Sequence, residues 1–415
     1  MSTLPHPLPS HAPASPVAAL PPQAELADRY GAHNYHPLPV VITHASGVWV
    51  TDSDGRRYID MLSSYSALNQ GHRHPRILQA ARDQLERVTL TSRAFHNDQL
   101  GPFLERLSQA SGFKRALPMN SGAEAVETGL KACRKWGYRV KGVPDGAARI
   151  VVAGNNFHGR TISIISYSTE EQYRQGFGPF TPGFDVVPYG DAAAIEAAIT
   201  PDTVAVLLEP IQGEAGVVVP PDGYLRAIRA ICDRHNVLMF LDEIQTGLGR
   251  TGRMWAFEHE DIRPDCITVA KALGGGVYPI SAFCADDAVM DVFSPGDHGS
   301  TFGGNPLAAA IGKAALDVII DEELPARAAE LGGYFMQRLR DIRSPHVLEV
   351  RGRGLLIGVE VHASSGTARH YCEALKERGV LCKDTHGQVI RFAPPLVITR
   401  DEIDLALAQV AAVLA

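Results

Sequence analysis

No stretch of this chain approaches the roughly 20 apolar residues that a bilayer-crossing helix needs, and the run VLMFL before Asp242 has the length of a buried strand. A helical membrane anchor is therefore not expected. Positive charge is in deficit: 39 Lys and Arg face 46 Asp and Glu, a formal charge of −7. Such a field repels nucleic acid and anionic lipid, so neither is an expected partner, and an anionic ligand has to be met by a local cluster of positive groups. The six cysteines (Cys133, Cys232, Cys266, Cys284, Cys372, Cys382) contain no Cys-x-x-Cys pair and fall mostly in apolar runs. That pattern argues against a disulfide framework and for free thiols in a reducing compartment. The start of the chain lacks a charged segment leading into an apolar one, and its first arginine is Arg29, so no export or transit signal is read and a cytoplasmic location is expected. Aromatics reach only 7%, yet hydrophobic residues make up 45%, too many for a disordered chain.

What is present is a long globular sequence of 415 residues with room for more than one domain. Residues 1–23 carry seven prolines among Ser, His and Ala and are expected to be a disordered arm. From 71 to 312, short apolar runs (ARIVVAG, TVAVLLEP, VLMFLDE, CITVAKA) alternate with amphipathic helical patterns, the rhythm of βαβ units and a mainly parallel sheet. In GYLRAIRAICDRHN, for instance, Leu225, Ile228, Ile231 and Cys232 share one helical face. Residues 313–415 read as a smaller α+β domain, and residues 24–70, with a hairpin around Asp54-Gly55, are expected to join it. No internal repeat is visible.

Lys271 stands inside CITVAKALGGG, where a buried, ionised and unpaired amine would cost several kcal/mol. Asp242 ends VLMFL 29 residues earlier, about one βαβ crossover, so both side chains are expected at the carboxyl edge of a parallel sheet, where open α/β folds bind ligands. A plain ion pair or a snorkelling lysine would also satisfy the pattern. The functional alternative is pyridoxal 5′-phosphate, which needs a lysine for its carbonyl and a carboxylate at its ring nitrogen. Its phosphate would find a site in MNSGAEAVETGLKACRKWG. There Ser121 and Glu124 form a capping box, and backbone N–H groups of Ser121, Gly122 and Ala123 would face the anion. The glycines Gly247, Gly249 and Gly252 match G-x-G-x-x-G but lack the strand immediately before and the full helix after that a dinucleotide site requires. His72 and His74 offer two imidazoles with no third ligand nearby, so no metal site is expected.

Taken as an ordered set, NSGAEAVE, LDEIQTGLGRTGR, AKALGGGVYPISA and GSTFGGNPLA resemble the class III pyridoxal-phosphate aminotransferases. Within that class YGAHNYHPLPV, SSYSALNQGHRHP, TLTSRAF, RKWGYRVKG, EPIQGEAGVVVP and VIRFAPPLVI are similar to the ornithine aminotransferases, from about Glu25 to the C-terminus. The resemblance implies a fold-type I transferase, a homodimer with shared active sites, and ornithine and 2-oxoglutarate as substrates. It implies Lys271 as the cofactor-bonding acid/base, Asp242 at the ring nitrogen, Gln245 near the ring hydroxyl, Phe157 on the ring face, and Thr301 at the neighbouring subunit's cofactor phosphate. Arg391 would pair with Glu214 while ornithine is bound and then turn to a carboxylate of 2-oxoglutarate. Arg160 would hold the other carboxylate, Tyr35 and Tyr65 the α-amino and carboxylate end of ornithine, and Glu209 would lie near the cofactor. One departure from the family pattern is His158 after Phe157, where a larger aromatic is expected. The alternative within the class is another ω-aminotransferase, acting on N-acetylornithine or 4-aminobutyrate, with Tyr35 as the discriminating residue.

Overall fold

The computed structural model describes residues 21–415. Residues 1–20, most of the Pro-rich segment expected to be disordered, lie outside the described residues, and its last two residues open a helix, Pro22–Tyr30. Proline is well suited to that first turn, where its missing N–H has no helical partner to lose.

Three strands come first: β1 (Ile42–Ser46), β2 (Trp49–Asp52) and β3 (Arg57–Asp60), with the expected hairpin turn between β2 and β3. Seven more build the central sheet: β4 (Arg115–Met119), β5 (Arg149–Ala153), β6 (Phe184–Val187), β7 (Thr203–Leu208), β8 (Leu238–Asp242), β9 (Cys266–Val269) and β10 (Ser281–Ala285). Their order is β4-β10-β9-β8-β7-β5-β6, and only β10 runs against its neighbours. β7 and β8 are buried along their whole length, as strands covered on both faces must be. Alternation assigns the faces: Met239 and Leu241 enter one core, while Leu238 and Phe240 enter the other beneath the helix Gly122–Trp136.

The remaining strands are β11 (Val347–Arg353), β12 (Leu356–Val361), β13 (Val380–Leu381), β14 (Lys383–Thr385) and β15 (Val389–Phe392). Four of them form an antiparallel sheet, β11-β12-β15-β14, and β13 pairs in parallel with β3. The early residues thus share a sheet with a strand from the end of the chain. The helix Pro306–Asp321 runs unbroken through residue 312, buried on both sides of it and packed on the helices Pro75–Leu85 and Leu100–Ser111. A domain boundary drawn at 312 therefore falls inside a continuous helix.

Candidate active site

The carboxyl ends of β8 and β9 lie side by side, with Asp242 opposite Thr268 and Lys271 two residues past the end of β9. Lys271 adopts φ +48, a left-handed conformation that a long side chain rarely takes and that the surrounding structure has to hold in place. It opens on a cavity of about 520 Å³ lined also by Ser121, Gly122, Ala123, Phe157, Glu209, Glu214, Asp242 and Gln245. Nine of the fourteen residues singled out in the sequence thus meet in one cavity.

Burial depresses the Lys271 amine below its ordinary pKa, against the opposing pull of Glu214 and Asp242. Asp242 accepts from the Ile244 N–H at 3.0 Å and from His158 Nδ1 at 2.7 Å. Glu209 is buried and pushed up to about 7 despite nearby His158, and it accepts the Phe157 N–H at 3.0 Å. At the helix Gly122–Trp136 the capping box is present, but it changes the anion cradle. The Ser121 N–H donates to Glu124 Oε2 at 2.7 Å, so only the N–H groups of Gly122 and Ala123 remain to face an anion. A capping box satisfies the donor of the cap residue itself, which is why the three-donor expectation fails at Ser121.

The wall opposite the sheet is assembled from distant segments. Arg391 Nη1 on β15 donates to Glu214 Oε1 at 2.6 Å, with Arg391 almost wholly buried. Gln245 Nε2 donates to the same oxygen at 3.2 Å. Burial works against the charge on Glu214, but Arg391 and then Lys271 outweigh it and hold the carboxyl below its ordinary value. A side chain at Gly213 would put its Cβ 1.4 Å from Gln245 Oε1, so glycine there is what lets the Gln245 amide lie in this position. Gln245 Oε1 is buried with no partner among the described residues, a polar atom suited to a ligand in the cavity. Tyr65 stacks its ring on Arg391, 5.0 Å from the guanidinium carbon. It is carried by four successive residues at positive φ, Ser63 to Ser66, each disfavoured for an L-residue. The turn is held by Asp60 Oδ1, which accepts from Leu62 and Ser63, and by Ser63 Oγ donating to Ala393.

Residues 30–414 match the class-III aminotransferase family. The chain belongs to the class-III aminotransferases. An ornithine aminotransferase of Brevibacillus brevis is 58% identical over 390 residues, which cover 94% of this chain and 97% of that protein. The crystal structure of the ornithine aminotransferase from Toxoplasma gondii superposes with a TM-score of 0.93 at 46% identity, covering 94% of each chain. An acetylornithine aminotransferase from Elizabethkingia anophelis gives 0.86 at 45% identity, covering 94% of this chain and 98% of that one. The fold is that of a fold-type I transferase, as the motifs led us to expect.

Five singled-out residues lie outside this aminotransferase's cavity lining. Arg391 and Tyr65 stand behind Glu214, as described. Arg160 is exposed, its guanidinium lying over the rings of Tyr173 at 3.9 Å and Phe157 at 5.6 Å. Tyr35 is 74% exposed, near enough to Tyr65 to affect its phenol, and Thr301 is exposed beyond the cavity. Sequence reasoning missed the Ser63–Ser66 turn and Arg250. Arg250 is fully buried and ties that turn to the segments flanking β12 and β15 by donating to Ser63 Oγ at 3.2 Å, to Asn69 Oδ1 and Pro394 O, both at 2.6 Å, and to Leu355 O at 2.9 Å. The G-x-G-x-x-G glycines belong to the same junction: Gly249 abuts Pro325 and Leu396, and Gly252 abuts Ala329. His72 pairs with Asp60 and His74 with Glu322.

Proposed function

We propose that the reaction is transfer of the terminal amino group of L-ornithine to 2-oxoglutarate, giving glutamate 5-semialdehyde, which cyclises, and glutamate. Pyridoxal 5′-phosphate is the proposed cofactor, and the residues present fit it. A depressed lysine, a buried carboxylate at the adjacent strand end, the first residues of a helix with two open N–H groups, and the Gln245 side chain all line one cavity. When bound, the cofactor supplies an electrophilic carbonyl and a ring that draws electrons from the substrate carbon.

In this reading Lys271, whose burial favours the neutral amine, would hold the cofactor at its carbonyl and would move a proton to and from the substrate carbon. Asp242 holds the proton on the ring nitrogen. Gly122 and Ala123 bind the phosphate, Phe157 bounds the ring face, and Gln245 and Glu209 hold its polar edge. Thr301 serves the phosphate of a second subunit. A homodimer is part of the reading, supported by Thr301 lying outside its own cavity and by the exposed apolar side chains of Leu85, Leu90, Phe95 and Phe302. A cytoplasmic setting is proposed with it; among the described residues no helix is long and apolar enough to cross a membrane.

The observation that carries the substrate assignment is the buried Arg391–Glu214 pair on the cavity wall. While paired, Arg391 is neutralised and the site admits the terminal end of ornithine's chain, which bears no carboxylate for the arginine to hold. Released, its guanidinium takes a carboxylate of 2-oxoglutarate or glutamate, with Arg160 at the other. Tyr35 and Tyr65 hold the α-amino and carboxylate end of ornithine. The names of the most similar relatives support the same substrate. Ornithine labelled with ¹⁵N at the terminal nitrogen should pass its label to glutamate, and label at the α-nitrogen should stay behind; the reverse pattern would overturn the proposal. The likeness to an acetylornithine aminotransferase favours N-acetylornithine as the second reading, and turnover of that compound with none of free ornithine would establish it.

A further inference from the structure

The two arginines assigned to substrate carboxylates are held in opposite ways. Arg391 is buried against the Glu214 carboxylate. Arg160 is exposed, pairs with no carboxylate among the described residues, and lies against aromatic faces, its guanidinium carbon 3.9 Å from the ring centre of Tyr173 and 5.6 Å from that of Phe157. A carboxylate partner cancels the charge of an arginine and occupies its N–H groups. A ring face does neither, because it attracts the cation through its quadrupole and leaves the donors around the guanidinium edge free.

Tyr173 comes to this position from a separate segment. It sits on a single helical turn, Glu171–Arg174, capped by Glu170, which accepts from the Gln172 N–H. The segment is tied to the loop after β5 by the Asn155 N–H, which donates to Thr169 Oγ1 at 2.7 Å, and it is closed on itself by the Thr181 N–H donating to Ser166 Oγ at 2.8 Å. The half-buried Tyr173 ring meets Phe157 edge-on, with centroids 6.0 Å apart at 79°. Burial raises the Tyr173 phenol above its ordinary value, Arg160 opposes this and Glu214 adds to it, so the ring stands within reach of both the exposed arginine and the cavity wall. The backbone before Arg160 is fixed independently: a Cβ on Gly159 would lie 2.9 Å from the Ala123 Cβ, so the chain there is pressed against the start of the helix Gly122–Trp136. The long side chain of Arg160 has no such restraint except the rings, and ordering it without them would cost rotamer entropy. Arg391 is near enough to Lys271 to affect its amine, whereas Arg160 lies out at the mouth, placed for the carboxylate farther from the reacting carbon. We propose that Tyr173 is a positioning residue for dicarboxylate substrates, its ring holding the Arg160 guanidinium, charged and with its donors free, where it meets the distal carboxylate of 2-oxoglutarate or glutamate. The inference rests on the reading of Arg160 given above.

Three variants of the cofactor-loaded protein test this in the half-reaction with glutamate and, separately, with L-norvaline, which shares glutamate's α-amino acid end but has no distal carboxylate. Tyr173→Leu should lower the preference for glutamate over norvaline in kcat/KM by about 5-fold, the scale of one partly exposed cation–π contact, through a higher KM for glutamate with kcat retained. Tyr173→Phe keeps the ring face and should stay within about 2-fold of wild type. An unchanged preference in the leucine variant, an equal loss for both amino acids, or a phenylalanine variant as impaired as leucine would overturn the proposal. Arg160→Met removes the guanidinium and keeps most of the stem, and should lower the same preference by at least about 10-fold. If it does not, the reading of Arg160 itself falls; if it does while Tyr173→Leu has no effect, that reading stands and only the role of Tyr173 is overturned.

Discussion

The floor of the cavity and its opposite wall are built by different means. Asp242 and Lys271 project from the ends of neighbouring parallel strands, so their spacing is set by the ladder itself, although the crossover between them holds only a short 3-10 helix, Ala256–Glu260, and not the α-helix that the 29-residue separation led us to expect. Arg391 and Glu214 are 177 residues apart, and each reaches the other only when the antiparallel C-terminal sheet docks on the central one. Tyr65 depends on a left-handed turn held by Asp60, Arg250 and Ala393. The floor is a product of local topology, whereas the wall is a product of assembly. The division fits the proposed chemistry, in which a cofactor would need a fixed frame and two dissimilar substrates a wall with an alternative pairing.

That contrast can be broken at several points. Lys271→Ala removes the one group proposed both to bond the cofactor and to move the proton, so turnover should fall by at least about 10³-fold, and the visible absorbance of bound cofactor should change. Retained turnover would show that the floor does not carry the chemistry. Asp242→Asn keeps the shape of the floor but not its charge, and should lower turnover by on the order of 10²-fold while weakening cofactor retention. On the wall, Glu214→Gln leaves Arg391 without its carboxylate. The preference for ornithine over glutamate in kcat/KM should drop by roughly 10-fold, the scale of a charge-assisted hydrogen bond, with turnover at saturating glutamate little changed. An unaltered preference would mean that the wall is as fixed as the floor. Tyr35→Phe at the exposed rim should raise KM for ornithine by only about 2- to 5-fold.

Burial near the floor also leaves a mark on stability. Glu243, next to Asp242, is buried and pushed up to about 7 even though it accepts from Thr246 and from backbone N–H groups. Its folded-state pKa exceeds the unfolded one, so the folded state holds the proton more tightly. The resulting stability is present below about 4.5 and is lost as pH rises to about 7. Melting curves across that window should fall less for Glu243→Gln than for wild type; parallel curves would contradict the assigned protonation.

The same division decides what could be read from the amino-acid sequence. The strands ending at Asp242 and Val269, the capped helix at Ser121 and the helix over Leu225 and Ile228 all announce themselves through apolar runs and local capping chemistry. Residues of the wall carry no such signal, and Glu214 and Arg391 came only from family motifs. Ser63–Ser66 contains no glycine, the usual marker of positive φ, so its turn is invisible until Asp60 and Ala393 are in place. Arg250 reads as a surface charge because most arginines are, yet its partners are two carbonyls and two side chains from three distant segments. The error at Ser121 had a local cause, since a capping box consumes the very donor that was assigned to the anion.

The most direct test of the central claim is a single-turnover absorbance experiment on cofactor-loaded protein mixed separately with ornithine, N-acetylornithine, 4-aminobutyrate and glutamate. Rapid loss of the bound-cofactor band with ornithine, with semialdehyde detected, and recovery on adding 2-oxoglutarate is the result this account requires. A band that persists with ornithine but bleaches with one of the other ω-amines would contradict the substrate assignment, and a band that no amine bleaches would contradict the chemistry assigned to Lys271.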